Sequence, residues 1–133
     1  MLGDSNIVAI VPTHDLGTSR PFYEDTLGLK VIQEDEGRAV GFETGQGTKL
    51  LLYVTQVNIP AEHTTASFTV DDVEATVAEL ESRGVEFEVY DLSEYGFEDL
   101  EEAKIIQMPD GAKSAFFKDP EGNILALGEG HWS

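Results

Sequence analysis

The chain has 133 residues, enough for one ordinary domain, and its 26 acidic residues against 8 basic ones give a formal net charge of −18. Such a field repels nucleic acids and anionic membranes, because binding either of them depends on Lys and Arg neutralising phosphates. No apolar run reaches the length of a membrane span, and the chain has no cysteine for disulfides or thiolate metal sites. We therefore expect no nucleic-acid or membrane partner, and a cytoplasmic location.

The acidic excess has two interpretations. The acids are spread through most of the chain, which is typical of a solvated surface that keeps a protein soluble in salty surroundings. Alternatively, they surround a cleft and raise the local concentration of a cationic ligand. The sequence leaves both interpretations open.

The first half of the chain reads as a strand, a helix and three strands. The apolar run 5–13 indicates a buried strand, and the polar residues before Pro21 suggest that this proline lies in the first turn of a helix. Leu27-Gly28 is expected to end that helix, because glycine readily takes the left-handed conformation there. Strands are then predicted near 29–34, 38–43 and 48–54, with Thr44-Gly45-Gln46-Gly47 as the turn between the last two.

The second half repeats this order after a connector at about 56–63. A strand is predicted from Thr64 to Val70, and Asp71 with Glu74 forms an acidic variant of a helix-capping box. The helix has one buried stripe, and Gly84 ends it. The stripe consists of Val73, Val77 and Leu80, and the later strands are expected near 85–90, 112–118 and 123–128, the last two around Asp119-Pro120-Glu121-Gly122.

The element order is thus written twice, as module one at about 5–55 and module two at about 64–129 of a single domain 1–133. Val8 matches Thr65 at an offset of 57, Phe42 matches Phe116 at 74, and Leu51 matches Ala126 at 75. The change in offset places an insertion of about 17 residues between positions 90 and 111. Its first part, 91–103, holds six acids and no base, and is either an exposed acidic loop or a lid over a cleft.

Two segments resemble the vicinal-oxygen-chelate superfamily of glyoxalases, bleomycin-resistance proteins and extradiol dioxygenases. The first contains Asp15, Ser19, Phe22-Tyr23 and Leu27-Gly28-Leu29, and the second is the run 115–124 around Asp119-Pro120-Glu121-Gly122-Asn123. The resemblance implies an α+β fold in which two βαβββ modules form a curled eight-stranded mixed sheet around a cleft. It also implies a homodimer, because family members usually are dimers.

In metal-dependent members of this family, the ligands come from the first and last strands of each module. Counting from Asp15, from Asp71 and from the two hairpin turns places these positions at Val8, Leu51, Thr65 and Ala126. Divalent metals need nitrogen and oxygen donors, which three of these side chains lack. We therefore expect no metal and no other cofactor. A metal-dependent lyase, isomerase or dioxygenase with ligands elsewhere remains the alternative.

Strand alternation identifies the other side chains on the cleft face. They include Ile10, Lys49, Tyr53, Ser67 and, if Lys118 pairs with Asn123, Phe117. Such a cleft is mostly apolar with a few hydroxyls and one lysine, which is typical of a pocket for a small organic molecule. Tyr53 would stack on the ligand or simply fill the cleft floor, and Lys49 would receive an anion or remain solvated. The predicted function is sequestration of an apolar or aromatic ligand, with a cationic one as an option.

The remaining candidates are weaker. His14, His63 and His131 lie in connectors without ligand spacing, and Ser19 precedes a helix as a cap would. Trp132 is either an isolated exposed aromatic residue or part of a dimer contact.

Overall fold

Eight strands and two α-helices make up the fold, in a computed structural model that describes residues 1–56, 61–90, 103–108 and 111–130. Helix α1 is Leu16–Pro21 and α2 is Val73–Ser82. The strands are β1 Val8–Thr13, β2 Lys30–Asp35, β3 Ala39–Glu43, β4 Lys49–Val54, β5 Thr64–Thr69, β6 Ile106–Gln107, β7 Lys113–Lys118 and β8 Ile124–Glu129. The α+β class with its doubled element order is confirmed.

The strands form two four-stranded mixed sheets with the same topology. Their orders are β1-β4-β3-β2 and β5-β8-β7-β6, and in each sheet the first two strands are parallel while the others are antiparallel. The internal repeat in the sequence therefore corresponds to a repeat in topology. Among the described residues, no helix is long and apolar enough to cross a membrane.

The chain divides into two compact units whose bounds differ from the modules in one respect. Unit 1 is Met1–Ala61 together with Asp119–Asn123, and unit 2 is Glu62–Lys118 with Ile124–Ser133. The hairpin turn of module two is thus part of unit 1. The grouping of both modules into a single domain stays a prediction.

The first helix begins earlier than predicted. Asp15 is the N-cap, its Oδ1 accepting the Gly17 N–H at 2.9 Å, so Pro21 is the last residue of α1 and not part of its first turn. Proline has no N–H to donate within a helix, and its ring crowds the preceding turn. The chain widens here into a π-turn, Phe22–Thr26, with the Leu27 N–H bonded to the Phe22 carbonyl at 2.9 Å. Gly28 follows with the expected positive φ of 76°.

Two expectations for module two also need correction. The N-cap of α2 is Asp72 rather than Asp71, because the Asp72 side chain accepts the Ala75 N–H at 3.1 Å. Instead of a strand near 85–90, the structure has isolated bridges at Phe87 and Tyr90, and the sixth strand lies at 106–107. The stripe Val73, Val77 and Leu80 is buried as predicted. The proposed lid, 91–103, lies outside the described residues up to position 102.

Unit 1 is organised around a buried polar network at the turn 119–123. The Tyr23 hydroxyl donates to Asp119 Oδ2 at 2.6 Å, and both residues are almost fully buried. Asp119 also accepts the backbone N–H groups of Glu121 and Asn123, at 3.0 and 2.8 Å. The Asn123 amide donates to Asp119 Oδ2 and to the Pro12 carbonyl, both at 2.9 Å. The Asp119 carboxylate thereby connects the π-turn with the turn 119–123, and the Asn123 amide connects that turn with the end of β1.

Removing the Tyr23 hydroxyl should destabilise the protein. Tyr23→Phe leaves a buried carboxylate short of one donor, and we expect a loss of about 1–3 kcal/mol in the free energy of unfolding, measured by urea denaturation. The matched control is Tyr53→Phe, because Tyr53 is exposed. Equal stability of the two variants would show that the Tyr23 hydroxyl contributes nothing.

The wild-type protein and the Tyr23→Phe variant should also differ in how their stability depends on pH. Burial, followed by the charge of Asp119 and the hydrogen bond to it, raises the pKa of Tyr23 above its usual value. Above about pH 10 the unfolded chain ionises this tyrosine while the folded protein keeps it neutral, so stability falls as pH rises. The advantage of the wild type over Tyr23→Phe should therefore shrink above that pH.

The acidic surface predicts a strong response to salt. The screening length falls from about 30 Å at 0.01 M to about 3 Å at 1 M salt, so repulsion among the acids of a chain with net charge −18 should weaken. We expect the melting temperature to rise markedly across this range in potassium chloride, a salt chosen because sulfate strengthens apolar burial in any protein. A flat response would contradict the solubility interpretation of the acids.

Candidate functional site

One face of the first sheet carries most of the predicted binding residues of unit 1. In the strand register Val8 pairs with Lys49, Ile10 with Leu51 and Pro12 with Tyr53, so these side chains share one face. We call this the open face of unit 1. Ile10 is 55% exposed, Val8 40% and Tyr53 36%. The structure thus brings Val8, Lys49, Leu51 and Tyr53 onto one accessible surface.

The opposite face of the same sheet is buried against α1 and the π-turn. Tyr23 contacts Phe42 there, with ring centroids 6.0 Å apart. Strand residues that point to this face, Phe42 among them, are buried. These strand residues are Val11, Thr13, Val40, Phe42, Leu50 and Leu52. Since alternate residues point to opposite faces, the burial of this set fixes the other set on the open face.

Gly41 keeps the centre of the open face shallow. It lies between Gln33 and Leu51 in the cross-strand row, and a Cβ at this position would meet the Gln33 Cβ at 3.4 Å and the Leu51 side chain at 3.9 Å. These are ordinary van der Waals distances, so a side chain at position 41 would pack against Gln33 and Leu51 and cover part of the apolar surface.

Unit 2 has an equivalent open face with a different composition. Ser67 pairs with Ala126 and Thr69 with Gly128, and on the other side Ala126 pairs with Phe116. Thr65 is the extra residue of a register shift between Thr64 and Ala66, opposite Ile124–Leu125. Hydroxyl groups and the ring of Phe116 therefore lie on this surface, whereas the open face of unit 1 has aliphatic side chains beside Tyr53 and Lys49.

The predicted position of Phe117 is wrong. Lys118 pairs with Ile124 and not with Asn123, so Phe117 pairs with Leu125 on the helix side and is fully buried. It packs there against Phe87, with ring centroids 5.3 Å apart. The cause is a three-residue loop, Pro120-Glu121-Gly122, in place of the four-residue turn that the sequence suggested. A one-residue shift in register moves every side chain of a strand to the other face.

Phe116 and Tyr90 are the site residues that sequence reasoning missed. Phe116 takes the place on the open face of unit 2 that Phe117 was expected to fill, and Tyr90 packs edge-on against it at 5.5 Å. The internal repeat could have identified Phe116. If the offset of 75 between Leu51 and Ala126 is extended through the hairpin, Phe42 matches Phe117. Because Phe42 is buried on the helix side, Phe117 is expected there too, and its neighbour Phe116 is expected on the open face.

The four positions that would hold a metal ion in this family do not fit one. Val8, Leu51 and Ala126 have no donor atom, and a single threonine hydroxyl is a poor ligand set for zinc, nickel, manganese or iron. Among the described residues, no group of three or more His, Asp and Glu side chains is arranged to hold a metal elsewhere.

The histidines and Ser19 have local partners. The His14 ring nitrogen Nδ1 contacts the Glu121 carboxylate, and the His14 backbone N–H donates to the same carboxylate at 3.0 Å. His63 Nδ1 lies 3.1 Å from the Thr64 carbonyl oxygen. Ser19 is buried inside α1, where its hydroxyl is 2.7 Å from that of Thr13. His131 and Trp132 lie outside the described residues.

A cavity of about 430 Å³ lies at another place in unit 1, between α1 and the hairpin of β2 and β3. Its walls combine apolar residues, such as Leu16 and Val40, with charged ones, and the guanidinium of Arg20 contacts Glu34 at 2.6 Å and Glu24 at 3.2 Å. The hydrogen bond to Glu34, followed by that to Glu24, raises the pKa of Arg20. The guanidinium is thus already neutralised by its neighbours, so this cavity is a less suitable ligand site than the open faces.

The sequence profile of the Glyoxalase/Bleomycin resistance protein/Dioxygenase superfamily matches residues 6–127, and the chain belongs to this family. A search of curated protein sequences finds no match.

Solved structures of different description share the fold. A lactoylglutathione lyase from Agrobacterium tumefaciens is 23% identical, with a TM-score of 0.70 over 96% of this chain and 94% of its own. TnmS3, an antibiotic binding protein from Streptomyces sp. CB03234, is 24% identical, with a TM-score of 0.69 over 95% and 97%. A glyoxalase/bleomycin resistance protein from the same Streptomyces is 26% identical, with a TM-score of 0.66 over 92% and 98%.

The lack of metal-binding side chains at Val8, Leu51 and Ala126 predicts how the protein should respond to a chelator. Because a bound metal stabilises the folded state, its removal lowers the melting temperature of a metalloprotein. For this chain we expect an excess of EDTA to leave the melting temperature unchanged, as measured by differential scanning fluorimetry before and after dialysis. A drop that zinc, nickel, manganese or iron reverses would show that metal ligands lie at positions other than Val8, Leu51, Thr65 and Ala126.

Proposed function

We propose that this protein binds a small organic molecule with an apolar or aromatic body, without a metal ion, and acts by sequestration rather than by turnover. The observation that carries the proposal is the open face of unit 1. There Ile10 and Tyr53 remain exposed beside Leu51, on the two strands that supply metal ligands in metal-dependent relatives.

The side chains of this face suit such a ligand. Burying exposed aliphatic groups against a ligand body is favourable by about 25 cal/mol for each Å² removed from water. Tyr53 adds a flat ring for stacking and a hydroxyl for a hydrogen bond. On the open face of unit 2, we propose Thr65, Ser67 and Ala126 as contacts, with Phe116 in place of Phe117, because sparse hydroxyls beside apolar groups give a ligand its orientation.

The relatives support binding and catalysis equally as uses of this fold. One is described as an antibiotic binding protein and another as a lactoylglutathione lyase. Since fold does not decide function, we base the choice for this chain on its own donor set. Val8 and Leu51 of unit 1 and Ala126 of unit 2 cannot coordinate a metal, but each adds apolar surface to the open face of its own unit. As in other family members, we expect a homodimer.

Binding of a neutral aromatic probe tests the proposal. We expect phenylnaphthylamine, whose fluorescence rises in apolar surroundings, to bind the wild-type protein saturably. Tyr53→Ala should weaken this binding about three- to tenfold, the loss expected for one aromatic stacking contact, whereas Tyr53→Phe should retain most of it.

The control variant is Met108→Ala, which removes an exposed apolar side chain of unit 2. If Tyr53→Ala and Met108→Ala bind the probe equally tightly, the probe does not bind at Tyr53. Catalytic turnover that requires an added metal ion would replace sequestration by the enzymatic alternative.

A further inference from the structure

The basic residues of this protein differ in whether they form ion pairs with carboxylates. Of the eight in the sequence, six form ion pairs with carboxylates among the described residues. These six are Arg20, Arg38, Arg83, Lys104, Lys113 and Lys118. Lys30 and Lys49 form no ion pair with any described residue, although acids outnumber bases more than threefold in this chain.

The two lysines lie in one cross-strand row. Lys49 of β4 pairs with Glu43 of β3, and Glu43 pairs with Lys30 of β2. Residues that pair directly across strands point to the same face, so all three belong to the open face of unit 1. Glu43 lies between the lysines, and the row as a whole carries one net positive charge.

We propose that the ligand of the open face of unit 1 is an organic anion, a carboxylate or sulfonate attached to an apolar body, whose acidic group binds at Lys49 and Lys30. This inference rests on the proposed function and assigns the sign of the ligand's charge. It replaces the cationic option that the overall charge suggested.

The strand geometry sets the size of the ligand. Leu51 and Tyr53 follow Lys49 along β4 at about 7 and 13 Å. Ile10 pairs with Leu51, so the apolar surface begins one row from the lysines and continues to Tyr53. Two fused rings cover the distance from Lys49 to Leu51, and a further ring attached to them reaches Tyr53 while the acidic group remains beside Lys49.

The distance dependence of electrostatics favours the local pair over the overall field. At physiological ionic strength, interactions between exposed charges fade beyond about 8 Å. Acids that lie farther than this from the bound acidic group act on it only weakly, whereas Glu43 lies in the same row as the lysines and offsets one of their two charges. The two lysines would contact the acidic group directly, where a charge-assisted hydrogen bond is strongest.

A matched pair of probes tests the inference. Anilinonaphthalenesulfonate differs from phenylnaphthylamine by its sulfonate group, so the ratio of their affinities measures recognition of the anion. We expect wild-type protein to prefer the sulfonate. Lys49→Gln and Lys30→Gln should each lower the ratio of sulfonate affinity to phenylnaphthylamine affinity about fivefold or more, because each removes a cation that contacts only the sulfonate. Lys104→Gln is the control, because it makes the same change in net charge at a lysine paired with Glu81 of unit 2.

The outcomes separate the two proposals. The anion inference is overturned if Lys49→Gln and Lys30→Gln weaken sulfonate binding no more than Lys104→Gln does. It is also overturned if the wild-type protein binds phenylnaphthylamine more tightly than the sulfonate. In those cases saturable phenylnaphthylamine binding that depends on Tyr53 still supports the proposed function. Failure of both probes to bind overturns both proposals.

Discussion

The hydrogen bond from Tyr23 to Asp119 is the interaction on which unit 1 depends. A buried carboxylate is costly unless donors surround it, and Asp119 has four: the Tyr23 hydroxyl, the backbone N–H groups of Glu121 and Asn123, and the Asn123 amide. Asn123 also donates to the Pro12 carbonyl, close to the end of β1. Since β1 carries Val8 and Ile10 and pairs with β4, the same carboxylate helps to set the position of the strands that form the open face.

Most of the fold could be predicted from the sequence, because strand alternation and the internal offsets are determined by local residue order. The errors arose where one residue more or less changes the result. A three-residue loop turns Phe116 rather than Phe117 toward the open face of unit 2, and Pro21 ends α1 instead of beginning it. The loop length depends on the hydrogen bonds that Asp119 makes inside the turn, and the position of Pro21 in α1 depends on the cap at Asp15. Neither set of hydrogen bonds can be read from the composition of these segments.

The candidate site shows a different limit of sequence reasoning. The absence of donor side chains at Val8, Leu51 and Ala126 is visible in the sequence once the strands are counted. The association of Lys30 with Lys49 is not, because it requires the register of three strands, with Glu43 as the residue between them. The overall charge of −18 left a cationic ligand open as an alternative, whereas the row of Lys30, Glu43 and Lys49 favours an anion. A total charge averages over distances that screening makes irrelevant to a bound molecule.

The place of the turn 119–123 has a consequence for how the protein is made. Tyr23 and Asp119 are 96 positions apart, so the N-terminal part of unit 1 leaves the ribosome long before the segment that completes it. At about 5–20 residues per second, this delay is roughly 5 to 20 seconds. During that time the Tyr23 hydroxyl and the Pro12 carbonyl lack their native partners. Cotranslational folding of unit 1 therefore cannot be completed until most of unit 2 has been synthesised.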